Sequence, residues 1–307
     1  MGQVTVVIPT HNRARQISAL LASIQQNWSP QIDSIVIVDD SENPSDLNGK
    51  FPQLKINHVV LKERVFISKA KNLGWKKATT EFVFFIDDDN VVDRDTITGT
   101  LMAIRERADA AAVMPAVLYK ACPDLVWVYA TPFSNPPKFN LLGRNLLRNP
   151  VLEGRYYSTD ALPNASIVRK IALEQVGGFN EHLVINSSME LAQKMKKRGW
   201  KVYAYAGSFI YHDAEPPGKM GWWAQHGTAD PERVRFEIRD WFIIRRITRP
   251  KEKLLTWRSI VESLRFVVPN SLVYVLRGRK RVQALRAVVT GYAEGIVESR
   301  KKLPPGV

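Results

Sequence analysis

The sequence predicts an α/β domain with a largely parallel sheet, followed by a basic helical extension. Three observations lead there. Apolar runs of strand length alternate with segments of helical period through the first ninety or so residues. Several of those runs end abruptly in polar residues, as buried parallel strands do where ligands bind beyond their carboxyl ends. The charge is uneven: of the net +14 over 307 residues, residues 216–307 supply 19 Lys+Arg against 8 Asp+Glu, and residues 1–215 supply 25 against 22. The expected division is therefore an α/β domain over 1–215 and a basic amphipathic extension over 216–307.

Val4 to Ile8 is a continuous apolar run closed by Pro9, read as a buried strand. Ala14 to Gln26 places Ile17, Leu20, Leu21 and Ile24 on one helical face. Ser34 to Val38 is a second strand, ending at Asp39-Asp40-Ser41, and His58 to Leu61 a third. Ser68 to Ala78 reads as a helix, and Phe82 to Ile86 as a strand ending at Asp87-Asp88-Asp89. Residues 130–165, with five prolines, read as a long loop region over the site. Ile171 to Val176 is a short helix stopped by Gly177-Gly178, and Ser188 to Arg198 a helix stopped by Gly199. Val202 to Tyr211 is a strand, and basic amphipathic helices follow Pro216-Pro217-Gly218.

Some classes are excluded or disfavoured. A single cysteine, Cys122, precludes an intrachain disulfide and fits a reducing compartment. No apolar run approaches the ~20 residues of a spanning helix; the best, Phe266 to Leu276, is broken by Pro269-Asn270. The first residues carry no basic-then-apolar leader, so no secretory signal is expected. The basic extension suits an anionic partner, either nucleic acid, an anionic membrane or a phosphorylated lipid, or else is a solvated helical surface.

Three carboxylates in succession past a buried strand repel one another and are costly to desolvate. A divalent cation relieves both problems, and hard oxygen ligands suit Mg²⁺ or Mn²⁺. A solvated turn is the plain alternative. Asp39-Asp40 can accept hydrogen bonds from a base or ribose, or simply shape a strand-end turn.

Read together and in order, five segments resemble glycosyltransferase family 2. They are Val6-Val7-Ile8-Pro9-Thr10-His11-Asn12-Arg13, Ile35-Val36-Ile37-Val38-Asp39-Asp40-Ser41, Ala70-Lys71-Asn72-Leu73-Gly74, Phe84-Phe85-Ile86-Asp87-Asp88-Asp89 and Val176-Gly177-Gly178-Phe179-Asn180-Glu181. The resemblance implies a GT-A fold, a Rossmann-like sheet flanked by helices that binds a nucleotide-diphosphate sugar. It implies that Pro9, Thr10 and Asn12 line the nucleotide pocket, that Asp39 holds the base with Asp40 beside it, and that Lys71 sits near the nucleotide or diphosphate in place of the usual arginine. Asp87 would face the ribose or donor sugar as a catalytic candidate, with Asp88 in the donor site. Asp89 would bind the metal, joined by Asp87 and by His212.

The chain departs from that pattern at the acceptor side. Ser187-Ser188 stand where the family carries a Glu-Asp pair, whose Asp is the general base. Glu190, one helical turn on, is the candidate base, although Ser187-x-x-Glu190 also reads as a capping box. Glu181 or Asp213 could serve instead, and an acceptor that is already an ionised phosphate needs no base. In the extension, Trp222-Trp223 and Arg233, Arg235, Arg239, Arg245, Arg246 and Arg249 interleave with Phe236, Ile238, Trp241, Phe242 and Ile243, a pattern suited to a membrane interface. The reading is thus an inverting transfer from a nucleotide-diphosphate sugar, with Mn²⁺ or Mg²⁺, to a lipid-linked glycan or polyprenyl phosphate. The place would be the cytoplasmic face of the cell membrane, with no nucleic-acid partner. The rivals are a catalytically idle sugar-nucleotide or glycan binder, a nucleotidyltransferase, and a basic binding module whose α/β domain is only structural.

Overall fold

The computed structural model describes residues 3–134, 138–139, 141–216, 231–248, 257–262, 272, 275–276 and 281–300. They fall into two compact units, residues 1–181 with 191–216 and residues 182–190 with 217–307.

The first unit is an α/β layer structure. Its strands are β1 (Val4–Thr10), β2 (Ile32–Asp39), β3 (Ile56–Val60), β4 (Phe82–Ile86), β5 (Asn90–Val92), β6 (Ala110–Tyr119), β7 (Cys122–Val128), β8 (Phe133–Ser134), β9 (Lys138–Phe139), β10 (Tyr156–Ser158), β11 (Ala165–Arg169) and β12 (Lys201–His212). Its helices are α1 (Ala14–Gln26), α2 (Leu47–Lys50), α3 (Phe66–Lys76), α4 (Thr96–Glu106) and α5 (Lys170–Val176), and α6 (Ser187–Lys197) runs from the second unit into it. The main sheet follows the order β10-β12-β6-β11-β4-β1-β2-β3, with β5 on β12 and β7 on β6.

The sheet is parallel from β3 through β2 and β1 to β4. Beyond β4 it is mixed: β11 runs antiparallel to both β4 and β6, while β12 is parallel to β6. The apolar runs of β1 and β4 are buried along their whole length, because helices cover both faces of a sheet built from crossovers. The expected α1 stripe, Ile17, Leu20, Leu21 and Ile24, is its buried face.

Three buried elements were not expected from the sequence: α4, the ten-residue strand β6 and strand β11. The stretch 141–165 is less loop-like than expected. The Leu142 amide donates to the Ala130 carbonyl and the Tyr129 amide to the Leu142 carbonyl, the Arg148 guanidinium clasps Glu153, and β10 joins the sheet edge. Pro136 and Pro137 lie outside the described residues.

The second unit contains α7 (Pro231–Thr248), α8 (Trp257–Glu262) and α9 (Arg281–Arg300). Trp222, Trp223 and Arg249 lie outside the described residues, as does most of the apolar run 266–276. Val234, Ile238 and Phe242 of α7 form a core with Val288, Tyr292 and Ile296 of α9. Small residues bring the two helices close. A Cβ on Gly291 would stand 2.6 Å from the Arg235 carbonyl oxygen, and one on Gly295 would stand 2.5 Å from the Phe242 ring.

Several α7 arginines are taken up in ion pairs. Arg235 clasps Glu294, Arg245 meets Glu262 in a buried pair, and Arg233 pairs with Glu237. Phe236, Ile238, Phe242 and Ile243 are buried. The aromatic and basic pattern of α7, which suggested a membrane-facing surface, is here a set of core residues and ion pairs.

Asp240 is fully buried beside Arg239 and accepts from the Val184 and Ile185 amides at 2.9 and 2.6 Å. Burial pushes its carboxyl up to about 6, against the pull of Arg239 and those amides. The same carboxylate thereby ties residues 184–185 to α7.

Candidate active site

The ends of β1, β2 and β4 lie side by side, since Thr10 pairs with Asp39 and Val7 with Phe85 in the parallel registers. That register brings together three polar clusters that are far apart in sequence.

At the β2 end, Asp39 is buried and both its oxygens are engaged. One accepts from the Ser41 amide at 2.9 Å, and the other lies 3.1 Å from Nε2 of His58 on β3. Asp40 accepts from the Val65 amide at 2.7 Å and stands 3.0 Å from Nδ1 of His11. Asn12 takes a positive φ of 53°, a conformation its short polar side chain tolerates. It donates its amide N–H to Ser41 Oγ and accepts from the Glu42 amide. The β1 and β2 loops are thus bound to one another before any ligand arrives. Pro9, within β1, is buried.

At the β4 end the three aspartates have different partners. Asp87 faces Lys71, whose Nζ lies 2.8 Å from Oδ1, and Lys71 itself is buried near the Phe179 ring. Asp88 turns inward, accepting from Thr10 Oγ1 at 2.7 Å and from Arg13 at 2.9 Å. Burial raises its carboxyl to about 6, and Arg13 and Thr10 pull it back only in part. Asp89 accepts from the same Arg13 nitrogen at 2.8 Å and from the Asn90 side chain at 3.2 Å. For Arg13, burial lowers the pKa, but Asp88 and Asp89 outweigh it and the net shift is upward.

Asn90 and Asn164 hold the triplet in place. Asn90 donates to the Asp87 carbonyl, Asn164 donates to Asn90, and the Asp87 amide donates to the Asn164 carbonyl. Asn72, on α3, receives the Phe179 amide and the Trp75 indole N–H, and donates to the Phe179 carbonyl and to Glu181. This junction needs Gly178: its φ is +72°, and a Cβ there would stand 2.5 Å from Asn72 Oδ1.

His212 reaches the triplet because β12 pairs with β5, setting His212 opposite Asn90. Its Nδ1 is buried without a hydrogen-bond partner and lies 3.6 Å from Asp89 Oδ1, too far for a hydrogen bond. An orphaned imidazole nitrogen beside a carboxylate oxygen fits two ligands of one cation. Asp87 is turned to Lys71 instead. Among the described residues no three His, Cys, Asp or Glu side chains close on one point. An Mg²⁺ or Mn²⁺ ion that leaves several positions to phosphate oxygens and water needs no such cage.

Glu190 is buried in the first turn of α6, in the segment that belongs to the second unit. The helix begins at Ser187, after Asn186 with φ of 61°. The Asn186 carbonyl accepts from the Met189 and Glu190 amides, so Ser187 takes the first helical position rather than the cap of the expected capping box.

Arg13 and His58 were not singled out from sequence, and His11 only as one of the polar residues at the end of β1. Arg13 stood inside a quoted motif; its partners, 75 and 76 residues away, become visible only in the fold.

A family whose description is Glycosyl transferase family 2 matches residues 5–158, half of the chain. The chain belongs to glycosyl transferase family 2. Among similar curated proteins, Staphylococcus aureus poly(ribitol-phosphate) beta-N-acetylglucosaminyltransferase TarS is 28% identical over 117 residues, which are 34% of this chain and 19% of that protein. Salmonella anatum O-antigen chain rhamnosyltransferase WbaN is 22% identical over 216 residues, 69% of this chain and 66% of that one. The family 2 chain thus matches about a fifth of the length of TarS and about two thirds of that of WbaN. The fold is shared with mannosyltransferase PcManGT from Pyrobaculum calidifontis, solved with GDP-Man and Mn²⁺, at TM-score 0.54 and 18% identity over 98% of this chain and 76% of that one. It is shared equally with TarS 1–349, solved with UDP-GlcNAc, at TM-score 0.56 and 16% identity over 97% and 89%.

Proposed function

We propose that this family 2 chain transfers a sugar, with inversion, from a nucleotide-diphosphate sugar to an acceptor oxygen. The observation that carries the reading is the pairing of Asp89 with the unpartnered, buried Nδ1 of His212 at the end of β4. These two residues would hold Mn²⁺ or Mg²⁺. When bound, that ion neutralises charge on the departing diphosphate.

The geometry of the side chains supports the remaining roles. Asp39, its carboxylate fixed by Ser41 and His58, is suited to accept a hydrogen bond from the base. Pro9, Thr10, Asn12 and Asp40 shape the pocket around it. Lys71 carries a buried positive charge toward the diphosphate and orients Asp87 toward the ribose or the sugar. Asp88, bridged to Thr10 and Arg13, holds the β4 turn in register.

The acceptor in this reading is a lipid-linked glycan or polyprenyl phosphate at the cytoplasmic face of a membrane. A phosphate acceptor is already ionised, which agrees with serines at positions 187 and 188. If the acceptor is a hydroxyl, Glu190 is the base. The name of TarS, a poly(ribitol-phosphate) transferase, agrees with an anionic acceptor.

The test is nucleoside-diphosphate release from a panel of nucleotide sugars with Mn²⁺, with Asp89→Ala as the control. Release that needs Asp89 is the expected result. Donor binding without any release would instead support the idle-binder reading that Ser187-Ser188 favours. Pyrophosphate formed from a nucleoside triphosphate and a sugar phosphate would support a nucleotidyltransferase.

A further inference from the structure

Helix α9 is turned inside out. Its fully buried side is made of Ala284, Ala287, Gly291, Gly295 and Ser299, with Val288 and Ile296 partly buried against α7, while four other aliphatic side chains point away. Val282, Leu285, Val289 and Val297 are between 52 and 67% exposed. At roughly 100° per residue, these four lie within about 60° of Val282 on either side. Gly291 lies about 180° round, against α7. The close approach of α7 and α9 explains why the small residues face inward. It does not explain why the outward face is aliphatic, since polar side chains there would leave the packing unchanged.

The charges on α9 are sorted in the same way. Arg286 and Arg300 are exposed and fall on the aliphatic face, about 40° and 0° from Val282. Both acids of the helix lie toward the opposite side, Glu294 about 120° and Glu298 about 160° from Val282, and Glu294 is held by Arg235. The outward face therefore combines a continuous aliphatic stripe with basic side chains and no acid.

We propose that this face of α9 docks on the surface of an anionic lipid bilayer, with the valines and Leu285 at the level of the acyl-chain boundary and Arg286 and Arg300 among the headgroup phosphates. The inference deepens the membrane part of the proposed function and rests on it; it does not depend on the donor chemistry. No helix among the described residues is long and apolar enough to cross a membrane, so α9 would lie along the surface. Its 20 residues span about 30 Å. A second copy of the chain is a poorer partner, because a symmetric contact would gather arginines from both copies with no acid to meet them. Nucleic acid is poorer too, because this face offers no aromatic ring for a base to stack on.

The test uses the full chain without nucleotide, sedimented with vesicles of phosphatidylcholine alone or with one part phosphatidylglycerol to two of phosphatidylcholine. Binding to the anionic vesicles only, weakening with salt, is expected. Arg286→Gln with Arg300→Gln should weaken it roughly thirtyfold, at about fivefold per arginine. Leu285→Glu with Val289→Glu should weaken it at least about tenfold. Unchanged thermal unfolding of both variants shows that the fold is intact, since all four positions are exposed. Equal binding to neutral vesicles, or wild-type binding by both variants, would overturn the proposal. So would self-association by light scattering that the Leu285→Glu, Val289→Glu variant abolishes, with no vesicle binding. Nucleoside-diphosphate release on a soluble acceptor, measured in parallel, reads the donor chemistry: its absence alongside intact vesicle binding sinks the transferase reading and leaves this one standing.

Discussion

Asp88 and Asp240 are both buried, both stand beside an arginine, and both are pushed by burial to about 6. Their settings differ in what the arginine can still do. Arg239 is itself largely buried, serves Asp240 and donates to the His182 carbonyl, so its bonds all close within one unit. Arg13 is 48% exposed and divides itself between Asp88 and Asp89, a carboxylate that also faces an unpartnered histidine nitrogen. A closed arrangement of charge holds a structure together. An open one, with a shared cation and an unpartnered buried nitrogen, is where the proposed ion would sit.

The largest expected break in that comparison is at Asp89. Asp89→Ala should lower nucleoside-diphosphate release by two to three orders of magnitude, roughly what removing one stabilising group from a developing oxyanion does. Steady-state kinetics with Mn²⁺ would show it, and a loss under fivefold would count Asp89 among ordinary surface acids. Next comes Lys71. Lys71→Met removes the buried partner of Asp87 and should weaken donor binding roughly 10- to 100-fold, as loss of a charge-assisted hydrogen bond does. Lys71→Arg should recover part of it, read by calorimetric titration of a nucleoside diphosphate.

The closed region should respond in stability. Gly291→Val drives a side chain into the Arg235 carbonyl and should cost about 1–3 kcal/mol in unfolding free energy. Denaturant titration checks this, and a neutral result would mean that α7 and α9 can separate slightly at no cost. The smallest effect is a slope. The folded carboxyl of Asp240 sits at about 6 against 3.8 unfolded, so the folded state holds that proton more tightly. Its contribution to stability is full below about pH 4 and is lost as pH rises through about 6, on the order of a kcal/mol per pH unit between. Asp240→Asn should flatten that stretch of a stability-versus-pH curve.

The parallel half of the sheet was legible because buried parallel strands read as unbroken apolar runs, and their polar ends sit next to them in sequence. Strand β6 was not. Its run Ala110-Ala111-Ala112-Val113-Met114-Pro115 is alanine-rich and contains a proline, both poor strand signals. The structure accommodates Pro115 where the pairing with β12 breaks register between Tyr205 and Phe209. At the site, the aspartates were readable as types, but not their orientations. That Asp87 turns to Lys71, Asp88 to Thr10 and Asp89 toward His212 depends on residues up to 123 positions away, brought near by β12. In the extension, composition alone could not separate arginines that close ion pairs from those left outside.

The reversed face of α9 has a consequence for how that helix can vary. In an ordinary surface helix, bulk is required on the inward side and almost anything is accepted outside. Here the inward positions reject added volume, while the outward ones are sterically free. A saturation scan along α9 scored for folding would therefore show Gly291 and Gly295 as intolerant sites and Val282, Leu285, Val289 and Val297 as tolerant ones, with the tightest constraint set by backbone distance rather than by hydrophobicity.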